Sequence, residues 1–334
     1  MKHKHNITAF CCLICFLFLI TNSETAISGM REGITLCLYT LLPALFPYMV
    51  LSILVTGSIL GSEISFLAPV SSLCRIPKGC ESLLAVGILG GYPVGAQNVC
   101  LAWKAGNITK DNAQRLAVFC NNAGPAFIFG ILGPIFHNTW VLLLLWGIQI
   151  LSAVLTGALI PGGNDQADTL PDRESPSVTG AIMTATRSAL GICSCVVLFR
   201  MLQEFFQLWV IKYLPKVAEP FIIGILELSN GCILLMNISH VSVRFVLASG
   251  LLSFGGLCVW MQTVSVCKRL NMNHYLRWKL IQSGISVILS LIIIIFYDHI
   301  FAGILLLSAF SLLIMRFSEY NLKNRSSFPR KLDV

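Results

Sequence analysis

The chain has 334 residues, of which 56% are hydrophobic and 11% are charged. A soluble globular domain carries about 25% charged residues, so this composition excludes a soluble fold, intrinsic disorder and a collagen-like fibre. The net charge of +8 comes from basic residues that mostly flank apolar stretches, which favours a lipid surface over nucleic acid as their partner. Composition therefore predicts an all-α polytopic membrane protein.

The first apolar stretch lies within residues 1–29 and follows two lysines. Its length predicts a signal-anchor helix that stays in the mature protein, and Ala26-Ile27-Ser28 offers a weak signal-peptidase site as the alternative. A second span is predicted at about 30–57. We expect kinks at Pro43 and Pro47, because each proline frees a backbone carbonyl in the preceding turn.

Residues 82–105 form the first interrupted element of the chain. Two apolar arms flank the sequence Gly90-Gly91-Tyr92-Pro93-Val94-Gly95. Each arm is about nine residues long and would span ~13 Å as a helix, roughly half of the hydrocarbon layer. This pattern is typical of a re-entrant helical hairpin, whose irregular tip must be buried in protein or line a watery cavity. A tight packing corner is the alternative interpretation.

A second interruption lies in the apolar segment 116–134, whose preceding helix has Thr109 as its predicted N-cap. It contains the sequence Asn121-Asn122-Ala123-Gly124-Pro125. Amides buried at this depth are costly unless they find partners, so we expect them either to bind a ligand or to join helices by hydrogen bonds. A continuous span follows at 140–160.

The second half of the chain repeats this order. A long span from Val178 precedes a short element interrupted at Ser229-Asn230-Gly231, and the apolar segment 245–266 is interrupted at Gly255-Gly256. Paired interrupted segments in two halves point to the binding site of a secondary transporter. Glu227 is a carboxylate at membrane depth, and it is interpreted as a proton-coupling group, a cation ligand or a partner of nearby backbone N–H groups.

This order predicts two inverted repeats, each with a re-entrant hairpin and a broken transmembrane helix, and about eight spans in all. The predicted units are the N-terminal signal-anchor helix at 1–29, a first repeat at 30–160, a polar linker at 161–177, a second repeat at 178–297, and a last helix with a basic tail at 298–334. Eight crossings place the linker in the cytoplasm, and a six-crossing alternative places it outside.

Glycines and polar residues near the four interruptions are the candidate substrate-binding residues. The half-helix after Gly95 would present free N–H groups and its positive dipole end to an anion, as would the helix starts near Gly231 and Gly256. The complete set is Gly90, Gly91, Tyr92, Pro93, Gly95, Gln97, Asn98, Asn121, Asn122, Gly124, Glu227, Ser229, Asn230, Gly231, Gly255, Gly256 and Gln262. Arg200 and Glu204 are expected to pair with each other, with Arg200 as an alternative anion ligand.

The sequence predicts no enzyme, no cofactor and no metal site. Most of the 13 cysteines lie in apolar stretches and are interpreted as packing residues, because no metal-ligand spacing accompanies them. The chain contains no G-x-x-x-x-G-K-[ST] sequence, so it does not itself drive transport with ATP or GTP.

Three motifs of the first half resemble those of one family. They are Leu89-Gly90-Gly91-Tyr92-Pro93-Val94-Gly95-Ala96, Asp111-x-x-x-Arg115-Leu116, and Asn121-x-x-x-Pro125-x-Phe127-Ile128-Phe129-Gly130 followed by Phe136-His137-Asn138. They look like motifs of the YlbJ-type sporulation integral membrane proteins, and the sequences around Glu227 and Gly255 resemble the matching second-half motifs of that family.

The resemblance implies a nucleoside-recognition, or Gate, domain and a location in the mother-cell-derived outer forespore membrane. It implies transport of dipicolinate, a small aromatic dicarboxylate. For such a transporter, we expect Glu227 to couple a proton. Transport of a nucleoside or a metal ion by the same type of domain is one alternative. A non-transporting scaffold that recruits other sporulation membrane proteins is the other, and it would place function in the linker and the tail.

Overall fold

The computed structural model describes residues 19–59, 64–163, 177–209 and 215–296, together with a few isolated positions. All secondary structure in these ranges is helical. Most of the predicted signal-anchor helix, most of the linker and the predicted last helix with its tail lie outside the described residues. Five helices are long and apolar enough to cross a membrane, namely Ser23–Val55, Thr139–Leu159, Val178–Gln207, Val241–Val266 and Tyr275–Ile295.

The first candidate span consists of two helices that meet at a distortion. Helix α1 covers Ser23–Leu36 and α2 covers Leu42–Ile59, and the turn Cys37–Leu41 between them is π-helical. The widened turn lies directly before Pro43, where the missing N–H leaves a backbone carbonyl of the preceding turn free. Pro47 lies inside α2. The predicted helix distortion is therefore located at the first of the two prolines.

A helical hairpin follows the short helix α3 (Ala68–Leu73). Its arms are α4 (Glu81–Gly90) and α5 (Val94–Lys104), which pack against each other. The tip contains Gly91 at a φ of 73° and a cis peptide bond between Tyr92 and Pro93. The interruption that the sequence indicates at 90–95 thus separates two antiparallel helices.

The next interrupted element leads into a long continuous helix. Helix α6 covers Lys110–Phe119 and α7 covers Pro125–Phe136, with residues 120–124 between them. The side chain of Thr109 accepts a hydrogen bond from the backbone N–H of Asn112 at 3.3 Å, which confirms Thr109 as the N-cap. Helix α8 then covers Thr139–Leu159.

The second half of the chain has the same order of elements. Its helices are α9 (Val178–Trp209), α10 (Glu219–Leu226), α11 (Leu228–Leu234), α12 (Val241–Phe254), α13 (Gly256–Val266) and α14 (Tyr275–Ile295). Helices α10 and α11 pack against each other as a second hairpin, with Glu227 between them. Gly255, at a φ of 82°, separates α12 from α13.

In the first half, the hairpin lies against the interruption between α6 and α7, backbone against backbone. A Cβ atom built on Gly87 or Gly95 would lie 1.9 or 1.8 Å from the carbonyl oxygen of Cys120. A Cβ atom on Gly124 would lie 2.8 Å from the backbone nitrogen of Gly91. Only glycine allows the two interruptions to approach this closely.

The second half contains an equivalent contact. A Cβ atom on Gly231 would lie 2.2 Å from the Cα atom of Gly224, so the arms of the second hairpin touch through their backbones. A Cβ atom on Gly256 would lie 2.9 Å from the carbonyl oxygen of Gly224. In each half, therefore, a hairpin packs against an interrupted helix at positions that glycine occupies.

The close contact at Gly95 leads to a test of stability. Gly95→Ala should destabilise the protein by about 1–3 kcal/mol or more, because the added methyl group forces the backbone at Cys120 to move. The thermal unfolding midpoint of the purified protein in detergent should fall by about 1–4 °C or more.

Gly147→Ala is the matched control. Gly147 lies in α8, and a Cβ atom added there would have no neighbouring atom within 4 Å, so alanine should leave the midpoint unchanged or raise it slightly. Equal midpoints for the two variants would contradict the proposed close packing.

Candidate functional site

The interrupted elements of the two halves meet at Tyr92. The Tyr92 hydroxyl donates a hydrogen bond to the carbonyl oxygen of Leu252 at 2.9 Å. Its ring lies against the α12–α13 interruption, where a Cβ atom on Gly255 would be 3.1 Å from the hydroxyl oxygen. The absence of a side chain at Gly255 therefore lets the tip of the first hairpin contact the interrupted helix of the second half.

Asn121 is fully buried and connects three helices. Its Oδ1 atom accepts a hydrogen bond from the backbone N–H of Ala96, in the first turn of α5, at 3.3 Å. Its Nδ2 atom donates to Thr263 Oγ1 and to the Tyr275 hydroxyl, both at 2.9 Å. The amide thus satisfies a free N–H of α5 and ties that helix start to α13 and α14.

Lys279 is a fully buried lysine in α14. Its Nζ atom donates to the carbonyl oxygen of Asn121 at 2.5 Å, to Gln282 Oε1 at 2.9 Å and to Asn122 Oδ1 at 3.3 Å. The same atom lies 5.2 Å from the centroid of the Tyr92 ring, a distance at which a cation is attracted to an aromatic face. The ammonium group is therefore held entirely by neutral groups.

Asn122 extends this arrangement towards α8 and α12. Its Oδ1 atom also accepts hydrogen bonds from Gln282 Nε2 at 2.8 Å and from Gln149 Nε2 at 3.5 Å. Gln149 Oε1 in turn accepts from the Ser253 hydroxyl at 2.8 Å. We call the connected set the central polar network, and its members are Tyr92, Asn121, Asn122, Gln149, Ser253, Thr263, Tyr275, Lys279, Gln282 and Ser286.

No carboxylate balances the charge of Lys279 among the described residues. The ion pairs found there join Arg200 to Glu32 and to Glu204, the latter at 2.8 Å, which confirms the predicted Arg200–Glu204 pairing. Ionisable residues buried within membrane helices are rare, and such a residue marks a functional site by default. The central polar network is therefore the candidate functional site within the described residues.

Glu227 forms a separate cluster. One carboxylate oxygen accepts from the backbone N–H of Ser229 at 2.9 Å, and the other accepts from Asn230 through its backbone N–H at 2.8 Å and its side-chain amide at 2.9 Å. Glu227 thus caps the start of α11, and the carboxylate occupies the helix end near Gly231 that was expected to face an anion. A role in proton coupling stays a prediction.

A surface cavity of about 330 Å³ lies beside Pro93. Its walls are Pro93, Arg187, Ser188, Gly191, Ile192, Gln262, Ser265, Val266 and Lys268. The Ser188 hydroxyl donates to Gln97 Oε1 at 2.8 Å, which places Gln97 next to this cavity. Asn98 instead donates to the carbonyl oxygen of Val94 in its own helix at 3.0 Å.

Apart from Asn98, the predicted site residues fall into four places. Tyr92, Asn121 and Asn122 belong to the central polar network. Glu227, Ser229 and Asn230 form the α11 cap, while Pro93, Gln97 and Gln262 lie at or beside the cavity. The glycines mediate close packing, and they are Gly90, Gly91, Gly95, Gly124, Gly231, Gly255 and Gly256.

Sequence reasoning missed Lys279 and its neighbours on α14. The buried residues of this helix are Tyr275, Lys279, Gln282, Ser286 and Ser290. Their spacing of four, three, four and four residues places them on one face of the helix. A polar stripe along an otherwise apolar span was the signal that could have revealed this side of the network.

One pair of cysteines departs from the packing interpretation. Cys100 of α5 and Cys267, directly after α13, are joined by a disulfide bond that links the two halves. Other cysteines agree with that interpretation: burial raises the pKa of the Cys74 thiol to about 12 and that of Cys80 to about 11. Thiols with such pKa values are protonated and unreactive at neutral pH.

The apolar helices and the enclosed polar network define the chain as an integral membrane protein. It is similar to "Sporulation integral membrane protein YlbJ" of Bacillus subtilis strain 168, with 29% identity over 153 residues, which are 44% of this chain and 36% of that protein. The chain thus matches about a third of the length of this curated relative. The similarity supports the resemblance to YlbJ-type proteins. No family model and no solved structure matches the chain.

The cap formed by Glu227 leads to a second stability test. Glu227→Ala should lower the free energy of unfolding by about 1–3 kcal/mol, because the buried N–H groups of Ser229 and Asn230 lose their acceptor. Thermal unfolding in detergent measures the change. Glu219→Ala, at the start of the other arm of the same hairpin, is the control and should cost less, because its partly exposed carboxylate accepts one hydrogen bond, from Gln207 at 3.0 Å. A structural role for Glu227 is contradicted if both variants unfold at the same temperature.

Proposed function

We propose that this protein is a membrane transporter, not an enzyme, and that its substrate is a small organic anion. The observation that carries the proposal is the buried ammonium group of Lys279, which is held by neutral oxygen atoms at the junction of the two halves. An anion that reached Lys279 would neutralise a charge that no carboxylate balances in the part of the chain that the structure describes. Buried charges in proteins are stabilised when they are paired in this way.

The groups around Lys279 suit the rest of such a substrate. Gln282 and Asn122 carry amide groups that can donate hydrogen bonds to carboxylate oxygens once the hydrogen bond between these two residues breaks. The aromatic ring of Tyr92 offers an apolar face beside the charge. This combination favours a compact aromatic or heteroaromatic carboxylate.

The order of elements supports an inverted-repeat transporter. Each half consists of an opening helix, a hairpin, an interrupted helix and a continuous helix. If hairpins return to the side from which they enter, the first half crosses the membrane three times, through α1–α2, α6–α7 and α8. The second half then starts from the opposite side and is inverted, which is the architecture of many secondary transporters.

The same arrangement gives six crossings within the described residues. The predicted signal-anchor helix within 1–29 and the predicted last helix within 298–334 would raise the total to eight. With eight crossings both termini and the linker lie on the cytoplasmic side, in agreement with the basic residues near both ends of the chain.

Dipicolinate is the substrate that we propose on the strength of the family resemblance. It is a small aromatic dicarboxylate, and so it fits the chemistry around Lys279. The name of the Bacillus subtilis relative supports a role in sporulation, and the outer forespore membrane is the proposed location. A nucleoside lacks the negative charge that Lys279 would bind, so the site favours the anion over the nucleoside.

Uptake into proteoliposomes tests the proposal. The purified full chain should take up radiolabelled pyridine-2,6-dicarboxylate, and Lys279→Met should reduce the initial rate at least about tenfold, because a buried charge pair contributes about 2–5 kcal/mol. Lys104→Met is the control, since Lys104 is an exposed lysine at the end of α5, and it should keep the wild-type rate.

A second variant separates the role of the charge from effects on folding. Asn122→Asp places a carboxylate of nearly the same shape within reach of Lys279, so the protein would supply its own counter-ion. We expect this variant to elute as a monodisperse protein and to lose uptake although Lys279 is intact. Full uptake by either site variant, or faster uptake of uridine than of the dicarboxylate, contradicts the proposal.

Loss of sporulation function on deleting 316–334 alone would favour the scaffold.

A further inference from the structure

The wall of the cavity beside Pro93 combines Pro93 and Gln262, which the sequence predicts as substrate-binding residues, with basic residues outside that predicted set. Arg187 and Lys268 are the charged residues of its wall, and the wall contains no acidic side chain. Its hydroxyl and amide groups come from Ser188, Ser265 and Gln262. A volume of about 330 Å³ lies within the range of small-molecule sites. The cavity therefore has the charge, the hydrogen-bonding groups and the size for a small anion.

The cavity and the central polar network contact adjacent residues of the chain at two places. Pro93 lines the cavity, and the adjacent residue Tyr92 lies over Lys279. Gln262 lines the cavity, and the adjacent residue Thr263 accepts a hydrogen bond from Asn121. The tip of the first hairpin and α13 thus each contribute residues to both sites.

The walls of the cavity are fixed by bonds within the protein. The hydrogen bond between Ser188 and Gln97 joins α9 to α5. The disulfide bond between Cys100 and Cys267 joins α5 to the end of α13, next to Lys268. Because all three walls are linked, the cavity exists before a ligand arrives, which lowers the free-energy cost of binding.

We propose that this cavity is an access site, in which Arg187 and Lys268 bind the carboxylate groups of a water-soluble organic anion before it passes Tyr92 to Lys279. The inference rests on the proposed transport of such an anion. The two basic residues act on capture and not on the later movement through the membrane. Their positive field raises the local concentration of anions, an effect that weakens as salt is added.

A double variant tests the access site. Arg187→Gln combined with Lys268→Gln should raise the KM for uptake of pyridine-2,6-dicarboxylate at least about tenfold and leave the maximal rate within about twofold of wild type. Both residues are exposed, so the variant should fold, which gel filtration in detergent checks. The KM of the wild type should also increase with sodium chloride, and that of the double variant should change less.

Arg269→Gln combined with Lys104→Gln is the matched control. These residues are also exposed and carry the same total charge, and Arg269 is adjacent to Lys268, but neither lines the cavity. The control should keep the wild-type KM. An equal increase of KM in both double variants would show a general surface charge effect and overturn the access site.

The lipid composition of the vesicles distinguishes a soluble anion from a lipid headgroup. In vesicles of phosphatidylcholine alone, the double variant should show the full increase of KM. If the increase occurs only in vesicles that contain phosphatidylglycerol, the cavity is a lipid headgroup site and the proposal is wrong.

Failure of the access site differs from failure of the transport function. Wild-type uptake that depends on Lys279 but not on Arg187 and Lys268 overturns the access site and leaves the transporter intact. No uptake by the wild type, together with no binding of the dicarboxylate to the purified protein in calorimetry, overturns both. A lower maximal rate with an unchanged KM in the double variant also contradicts a role in capture.

Discussion

The ammonium group of Lys279 must be held in the interior of the protein by groups that carry no formal charge. This requirement explains why so many amides and hydroxyls from different helices converge on one place. Asn121 and Asn122 reach it because the chain between α6 and α7 is not helical, and Tyr92 reaches it because the first hairpin ends there. The helix interruptions, which are costly in a membrane, thus supply the ligands of the charge.

The glycine contacts make this convergence sterically feasible. The first hairpin approaches the α6–α7 interruption closely enough that Gly95 and Cys120 touch through their backbones. In the second half, Gly224 and Gly256 make the corresponding contact. In a bilayer, helices associate mainly through close packing and polar contacts, because burial of apolar surface offers little driving force. Small residues therefore determine where the hairpin and the interrupted helix of each half meet.

Local sequence was sufficient to predict the helix interruptions, since glycine, proline and paired amides act within a few residues. It predicted Thr109 as a cap and the Arg200–Glu204 pair for the same reason. It did not reveal Lys279, because a lysine near the start of an apolar span resembles an ordinary flanking charge until the polar stripe of α14 is noticed. The hydrogen bond from Tyr92 to Leu252 depends on how the two halves assemble, and residues 160 positions apart carry no local signal of that contact.

The disulfide bond between Cys100 and Cys267 has a mechanical consequence. It keeps the Cα atoms of the two residues 6.0 Å apart, so the end of the first hairpin and the end of α13 move as one block. Helix α9, the remaining wall of the cavity, is attached to that block through the hydrogen bond between Ser188 and Gln97. Because α9 also packs against α13, a displacement of α9 that widened the cavity would have to separate these two helices and break the hydrogen bond between Ser188 and Gln97.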